Sequence, residues 1–385
     1  MKKKILIFTG SRADYSLMKN LIFEIKKQKK INCEIVAGSA HYSKYFGSTF
    51  KEIEGDKIKI NYPVKINFDK LFHEDVIDYI SKTLQIFKTI IKKSSPDLVI
   101  VLGDRFEVFS FVQAAFFLKI KIAHIHGGEV TSGAFDDNIR HAITKFSNHH
   151  FATHKTYKKR LIQLGENPKN VYLVGSPGVE NFKKYKLIDK EKLFKELSLN
   201  IEDKKILITF HPETYSDLDY EKQIDIIIKS IKNFKKEQLI FTFNNSDPYG
   251  HIFLEKIKRY VKTNKNIKIF SSLGSLKYLS LLKNVDLVMG NSSSGVIEAP
   301  ATKVPTLNIG TRQKGRVAYD SIINCELNSN KIQNAINKIL YKKIKIKKNI
   351  IGNFNTSKLI YSKLNKILGK KNFDKKTFYD IKFKN

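Results

Sequence analysis

The chain has 385 residues, 42% hydrophobic and 28% charged, which fits a globular protein of two domains and excludes a disordered or collagenous one. Its net charge is +33, yet 63 of the 70 basic residues are lysine. Base reading and tight phosphate clamping use the planar guanidinium fork, so the excess reads as a solvated lysine-rich surface, with neither nucleic acid nor membrane expected as a partner.

The opening Met1-Lys2-Lys3-Lys4 precedes only four apolar residues before Thr9-Gly10-Ser11-Arg12. That is a strand, not an export signal, and no apolar run is long enough to span a bilayer. Strand-like runs follow at Lys4–Phe8, Cys33–Ala37, Asp97–Leu102, Lys121–Ile125, His149–Ala152 and Val171–Val174. Helical patterns lie between them at Tyr15–Lys27, His73–Lys93, Phe106–Leu118, Asp137–Phe146 and Thr156–Leu164. Alternation of this kind predicts a parallel sheet wrapped by helices. The charged stretch Lys183–Lys205 reads as a linker with a surface helix. The pattern then restarts, with strands at Lys205–Phe210, Gln238–Phe243, Ile267–Phe270, Asp286–Met289 and Thr306–Ile309. Helices are expected at Asp219–Phe234, Gly250–Val261, Ser275–Leu282, Gly295–Ala299 and Lys331–Ile339. The fold class is therefore α/β, with two Rossmann-like doubly wound domains, 1–178 and 179–355, facing a cleft. Ligands bind such units beyond the carboxyl ends of the strands. The segment 331–385 carries 16 lysines against Asp374 and Asp380, with Ile, Leu and Phe threaded through it. Cys33 and Cys325 fit no disulfide or metal framework, which points to a reduced, cytoplasmic setting.

The strand ends hold the chemistry. Gly10 permits a tight turn into a helix whose first amides suit a phosphate, and Arg12 adds a cation. Asp104 ends the third strand, where it either caps the next helix or meets the cleft. His124-Ile125-His126-Gly127-Gly128-Glu129 alternates, so both imidazoles are expected on one face, and Asp136 opens the next helix. Carboxylates and imidazoles gathered at one strand end can supply a general acid and a general base. No H-E-x-x-H and no cysteine pair is present, so no metal is expected. In the second half, His211 follows a strand, and Asn244-Asn245-Ser246-Asp247 reads as a polar turn. Gly290-Asn291-Ser292-Ser293-Ser294-Gly295 joins a strand to a helix. Its amides and the hydroxyls of Ser292, Ser293 and Ser294 form an anion nest for a diphosphate. Glu298, one turn later, suits ribose hydroxyls, and Arg312 and Arg316 bring cations. Five of the seven arginines (12, 105, 140, 312 and 316) occupy these loops.

GSRADYS at 10–16, GDRFE at 103–107, HIHGGEVTSGAFDDNIRHAITK at 124–145, QLGE at 163–166, FHPET at 210–214, GNSSSGVIEAP at 290–300 and NIGTRQKGR at 308–316 together resemble the hydrolysing UDP-N-acetylglucosamine 2-epimerases of bacterial sialic and legionaminic acid synthesis. The resemblance implies a glycosyltransferase-B-like fold with a C-terminal helix and tail, 356–385, returning to the first domain. It implies a nucleotide-sugar substrate, no metal or redox cofactor, and a homo-oligomer, dimer or tetramer. By motif, Asp104, Asp136 and His211 match essential positions. Ser292, Ser293 and Glu298 match diphosphate and ribose contacts, and Arg12 and Asn245 match contacts near the phosphates. Non-hydrolysing members have Glu where this chain has His126, so the identity of acid and base among Asp104, His126, Glu129, Asp136 and His211 stays open. The implied reaction is elimination of the nucleotide followed by water addition. N-acetylglucosamine and N,N'-diacetylbacillosamine substrates, with UDP or GDP, both fit, and a transferase of the same fold is the rival enzyme.

Overall fold

Two runs of short, aliphatic, fully buried strands build two separate sheets. The computed structural model describes residues 2–66, 69–243, 247–342, 346, 354–369 and 375–381. Among these, the first sheet has seven strands: β1 (Lys3–Thr9), β2 (Ile31–Ala37), β3 (Tyr62–Pro63), β4 (Leu98–Leu102), β5 (Lys121–Ile125), β6 (His149–Ala152) and β7 (Val171–Leu173). The second has six: β8 (Lys205–Thr209), β9 (Gln238–Thr242), β10 (Ile267–Phe270), β11 (Leu287–Gly290), β12 (Thr306–Ile309) and β13 (Ile322–Cys325). The orders are β3-β2-β1-β4-β5-β6-β7 and β10-β9-β8-β11-β12-β13. All pairings are parallel. Both orders reverse once, between β1 and β4 and between β8 and β11. The crevice that binds ligands in such sheets opens at that switch point.

Strand alternation sends each sheet's side chains into two layers. Ile5 and Ile7 pack with Met18 and Ile22 of the helix Arg12–Lys26, while Leu6 and Phe8 pack with Phe87 and Phe111 of the helices His73–Ser94 and Phe106–Phe117. In the second sheet Ile206 and Ile208 meet Ile224, Ile332 and Ile336, whereas Leu207 meets Phe194 and Leu281. Burial on both faces explains why these strands read as continuous apolar runs.

The stretch Lys183–Lys205, expected as a linker with a surface helix, contains the helix Lys190–Glu196, and an unanticipated helix, Pro177–Lys184, runs into its start. Ser176 and Asp189 cap them through Val179 and Glu191 amides, and Leu193 and Phe194 are fully buried while the lysines beside them stay outside. The elements Phe50–Gly55, β3 and β13 were not anticipated. The helix Thr356–Leu368 places Ile360, Leu364, Ile367 and Leu368 in the core of the first sheet. Beyond it, Tyr379 N donates to Gly165 O at 2.9 Å and Lys376 Nζ sits 2.6 Å from Glu166. Gly165 has φ +81°, and a Cβ there would overlap the Phe378 ring, so the QLGE turn and the tail fit one another.

Loops at the two sets of strand ends touch across the crevice. Arg12 Nη1 donates to Ser272 Oγ at 3.2 Å, Phe135 N to Thr214 Oγ1 at 3.0 Å, and Arg316 pairs with Glu129. Gly133 lies so close to the Arg312 backbone that a Cβ would come within 2.7 Å of it.

Candidate active site

The loop after β4 and the helix Asp136–Phe146 bring Asp104 and Arg140 into an ion pair. Arg140 is only 2% exposed; it also donates to His126 O at 3.1 Å and to Thr131 Oγ1 at 2.7 Å. Burial works against the Asp104 charge, but the guanidiniums of Arg140, Arg316, Arg312 and Arg105 overcome it and hold the carboxyl below its ordinary value. Asp136, the first residue of its helix, is affected in the opposite sense. Burial and the neighbouring negative charge of Asp104 push it up to about 7, against the opposing Arg105 and Arg312. One cluster thus holds one carboxyl that stays ionised and one poised near neutrality. Two carboxyls driven apart in this way are how a site provides both a fixed anion and a proton carrier at one pH.

His126 and Glu129 lie just past β5. The expectation that His124 and His126 share a strand face does not hold, because the strand ends at Ile125 and His126 takes φ +69°. His124 is buried and bonds to Gly103 O at 2.7 Å, a structural role. His126 Nδ1 donates to Glu129 Oε1 at 2.8 Å. Burial, with Arg316 and Arg140 nearby, lowers its pKa to about 3, so the ring is neutral. Its Nε2 is buried without a hydrogen-bond partner among the described residues, beside the charges of Asp104 and Glu298. A bare acceptor there is unusual in a folded interior and calls for a partner. Glu129 also accepts from Thr153 Oγ1 at 2.8 Å and pairs with Arg316.

From the other sheet, His211 follows β8. Its N donates to Asn291 Oδ1 at 2.7 Å and its O accepts from Asn291 Nδ2 at 2.9 Å. Its ring meets Asp247 at 2.6 Å. Burial depresses the His211 pKa, with Asp247 opposing. Glu213 accepts from the Thr311 and Arg312 amides at 2.7 and 2.8 Å, which pins the arginine-bearing turn. Gln313 Nε2 donates to Asn291 O at 2.8 Å.

Two anion-nest expectations are corrected. The Gly10 and Ser11 amides both donate to Asp14 Oδ2 at 3.0 Å, so that turn is already occupied by a carboxylate. The role of Gly10 is close packing, since a Cβ on Gly38 would lie 3.0 Å from Gly10 Cα. Of the three serines, Ser292 accepts from the Ser294 amide as a helix cap, and Ser294 Oγ is bonded to Tyr278 at 2.7 Å. Ser294 also hydrogen-bonds Glu298. Ser293 is exposed, and with Ser292 it leaves two hydroxyls for a ligand, not three. Glu298 is raised by burial, with His126 and Arg12 opposing; a Cβ on Gly178 would lie 2.8 Å from its Cγ. Arg12 faces the same space, with Glu298, Glu52 and Tyr278 around it. Asn245 falls outside the described residues. Among the described residues no group of His, Cys, Asp and Glu could hold a metal ion, and no helix is long and apolar enough to cross a membrane.

The sequence places Arg12, Arg105, Arg140, Arg312 and Arg316 in the site loops, without individual roles for Arg105 and Arg140. Asp247, read there only as part of a polar turn, is the member of the site that it did not single out.

The family described as UDP-N-acetylglucosamine 2-epimerase matches residues 23–365. The chain belongs to that family. It is 39% identical over 347 residues to the GDP/UDP-N,N'-diacetylbacillosamine 2-epimerase (hydrolyzing) of Campylobacter jejuni, covering 89% of each chain. It is 37% identical to the polysialic acid biosynthesis protein P7 of Escherichia coli, covering 98% of each. The crystal structure of the Neisseria meningitidis UDP-GlcNAc 2-epimerase bound to UDP-GlcNAc superposes with a TM-score of 0.79 at 20% identity, over 94% of this chain and 100% of that one. The paired parallel sheets are thus the family's glycosyltransferase-B-like fold, and the loops described above lie at its interlobe crevice.

Proposed function

We propose that the chain is a hydrolysing 2-epimerase that converts UDP-N-acetylglucosamine and water to N-acetylmannosamine and UDP. The observation that carries this reading is the pair of half-buried Asp104, ion-paired with Arg140 and held ionised among arginines, and buried Asp136, raised to about 7. In the first step the C2 proton passes to a protein base. Its electron pair forms a C1=C2 double bond, and the C1–O bond breaks with UDP leaving. In the second step water gives its hydroxyl to C1 while a proton reaches C2 on the opposite face. One water is consumed, and no electron is exchanged with a redox partner.

Asp136, raised to about 7, is assigned as one proton carrier, because a carrier works best near the operating pH; His211, whose ring is held by Asp247, is assigned as the other. Asp104 pairs with Arg140 and balances the charge of Arg316 beside the reacting carbons. His126 Nε2 accepts from a sugar hydroxyl or amide, and Glu129 orients His126. Arg12, Arg312, Asn245, Ser292 and Ser293 stabilise the charge growing on the departing diphosphate. Glu298 takes the ribose hydroxyls.

The same chemistry on UDP- or GDP-linked N,N'-diacetylbacillosamine is the second reading, favoured by the identity to the Campylobacter jejuni protein. Incubation with each of these sugar nucleotides, with the freed sugar identified by mass spectrometry and NMR, tests both. N-acetylmannosamine supports the first and a diacetamido hexose the second; release of neither contradicts both.

A base with a raised pKa loses its active form as pH falls through that value. The kcat/KM profile is therefore expected to fall about tenfold per pH unit below about 7. Residual activity of Asp136→Asn is expected to lack this limb. A limb near the ordinary carboxylate range, around 4, would remove Asp136 from the role.

A further inference from the structure

Asp247 reads in sequence as part of a polar turn, yet its two carboxylate oxygens are both committed. Oδ2 accepts from His211 Nδ1 at 2.6 Å, and Oδ1 accepts from Arg105 Nη1 at 2.5 Å. Asp247 follows β9 in the second lobe. Arg105 follows β4 in the first, 142 positions away. His211, Arg105 and Asp247 are 3%, 7% and 8% exposed. We propose that Asp247 is the positioning residue that fixes the ring of His211, and that Arg105 makes this positioning depend on the two lobes being closed together. The proposal rests on the reading of His211 as a proton carrier.

The main chain of His211 does not need Asp247, because Asn291 holds both its N–H and its C=O. What Asp247 controls is the side chain. A neutral imidazole carries one N–H, and an ionised carboxylate can only accept. The proton is therefore placed on Nδ1, which leaves the Nε2 lone pair for a substrate proton. Asp247 stays ionised in spite of its burial because Arg105, His211 and Arg312 hold its carboxyl far below the ordinary range. The charged groups facing His211 are Asp247, Arg312 and Arg105. Asp136 lies close enough to be affected by both Asp247 and Arg105. If the lobes part, Arg105 is withdrawn from Asp247, and the carboxylate that orients the ring loses its second anchor. Proton transfer is thus confined to the closed arrangement.

The test compares Asp247→Asn and His211→Ala with the parent enzyme, using UDP release from the accepted sugar nucleotide. Asp247→Asn is isosteric. It is expected to lower kcat by about 100-fold or more, with KM and UDP affinity each within about threefold. The direction of the pH profile separates positioning from loosened packing. Loss of the Asp247 charge lowers the His211 pKa further and moves its limb to lower pH, whereas a ring released to solvent would move it up toward 6.5. An Asp247→Asn enzyme with parental kcat beside an inactive His211→Ala overturns the positioning role alone. A fully active His211→Ala overturns the proton-carrier reading and the positioning role with it. Histidine nitrogen NMR of the unmodified enzyme near pH 7.5, with the signal assigned by its loss in His211→Ala, gives a check independent of variant folding. The Nδ1–H tautomer is expected, and an Nε2–H tautomer overturns the proposal.

Discussion

Asp104→Asn is expected to reduce kcat/KM by about a thousandfold, within the range for loss of a group that acts on a transferred proton or its partners, while UDP still binds. The carboxylate is the ion-pair partner of Arg140 and is also felt by Arg316, Arg312 and Arg105. Asparagine keeps the shape and removes the charge. Two consequences follow on the proposed chemistry. The anion that balances these cations at the reacting carbons is lost. Asp136 also loses the neighbouring charge that helps raise it, so its affinity for a proton drops. Arg140 keeps His126 O, Thr131 and, at 3.7 Å, Glu129 as partners, so the fold is expected to survive. Affinity for UDP, measured by calorimetry, is expected to stay equal or rise, since one anion leaves a site that receives another. Turnover within tenfold of the parent would take Asp104 out of the reaction.

Gly290→Ala is expected to have the largest effect on folding. Gly290 ends β11 with φ +131°, a region strongly unfavourable to L side chains, and the added methyl would overlap the Thr209 carbonyl on the adjacent strand β8. Backbone strain of this kind is worth about 1–3 kcal/mol. Forcing two central strands apart adds more, for a total of about 4 kcal/mol or above. The next residue, Asn291, donates to Thr209 O and holds the His211 main chain, so the strain passes directly to the site. Insoluble protein, or a melting temperature lowered by several degrees in calorimetry, is the expected outcome. A melting temperature within about 1 °C would show that the β8–β11 turn relaxes easily, because even 1 kcal/mol shifts a large domain by about 2–4 °C.

Buried strands such as Lys121–Ile125 and His149–Ala152 were legible to the residue, because a strand covered on both faces needs an unbroken apolar run. The elements that escaped carry no such run. Tyr62–Pro63 is a two-residue edge strand, and Ile322–Cys325 lies at the other sheet's edge with no residue fully buried. The helix Pro177–Lys184 did carry a signal, serine before proline at its start, but Gly178 obscured it. That glycine is required by the close approach of Glu298. Lysines masked the buried Leu193 and Phe194 in the next helix. In the site, the carboxylates and imidazoles were found because they follow strands. Asp247 was not, because its meaning comes from Arg105 and His211, brought to it by the apposition of the two lobes. The amides of Gly10 and Ser11 looked open because local sequence does not say that Asp14 turns back to take them.

Solvent deuterium offers the most direct measurement of the central chemistry. The enzyme is incubated with the accepted sugar nucleotide in deuterated water, and the released hexose is examined by proton NMR. One deuterium at C2 of an inverted, free 2-acetamido sugar, formed in step with the nucleoside diphosphate, is the expected result. A released sugar that keeps its original C2 hydrogen and configuration would mean simple hydrolysis or transfer, and would contradict elimination at this site.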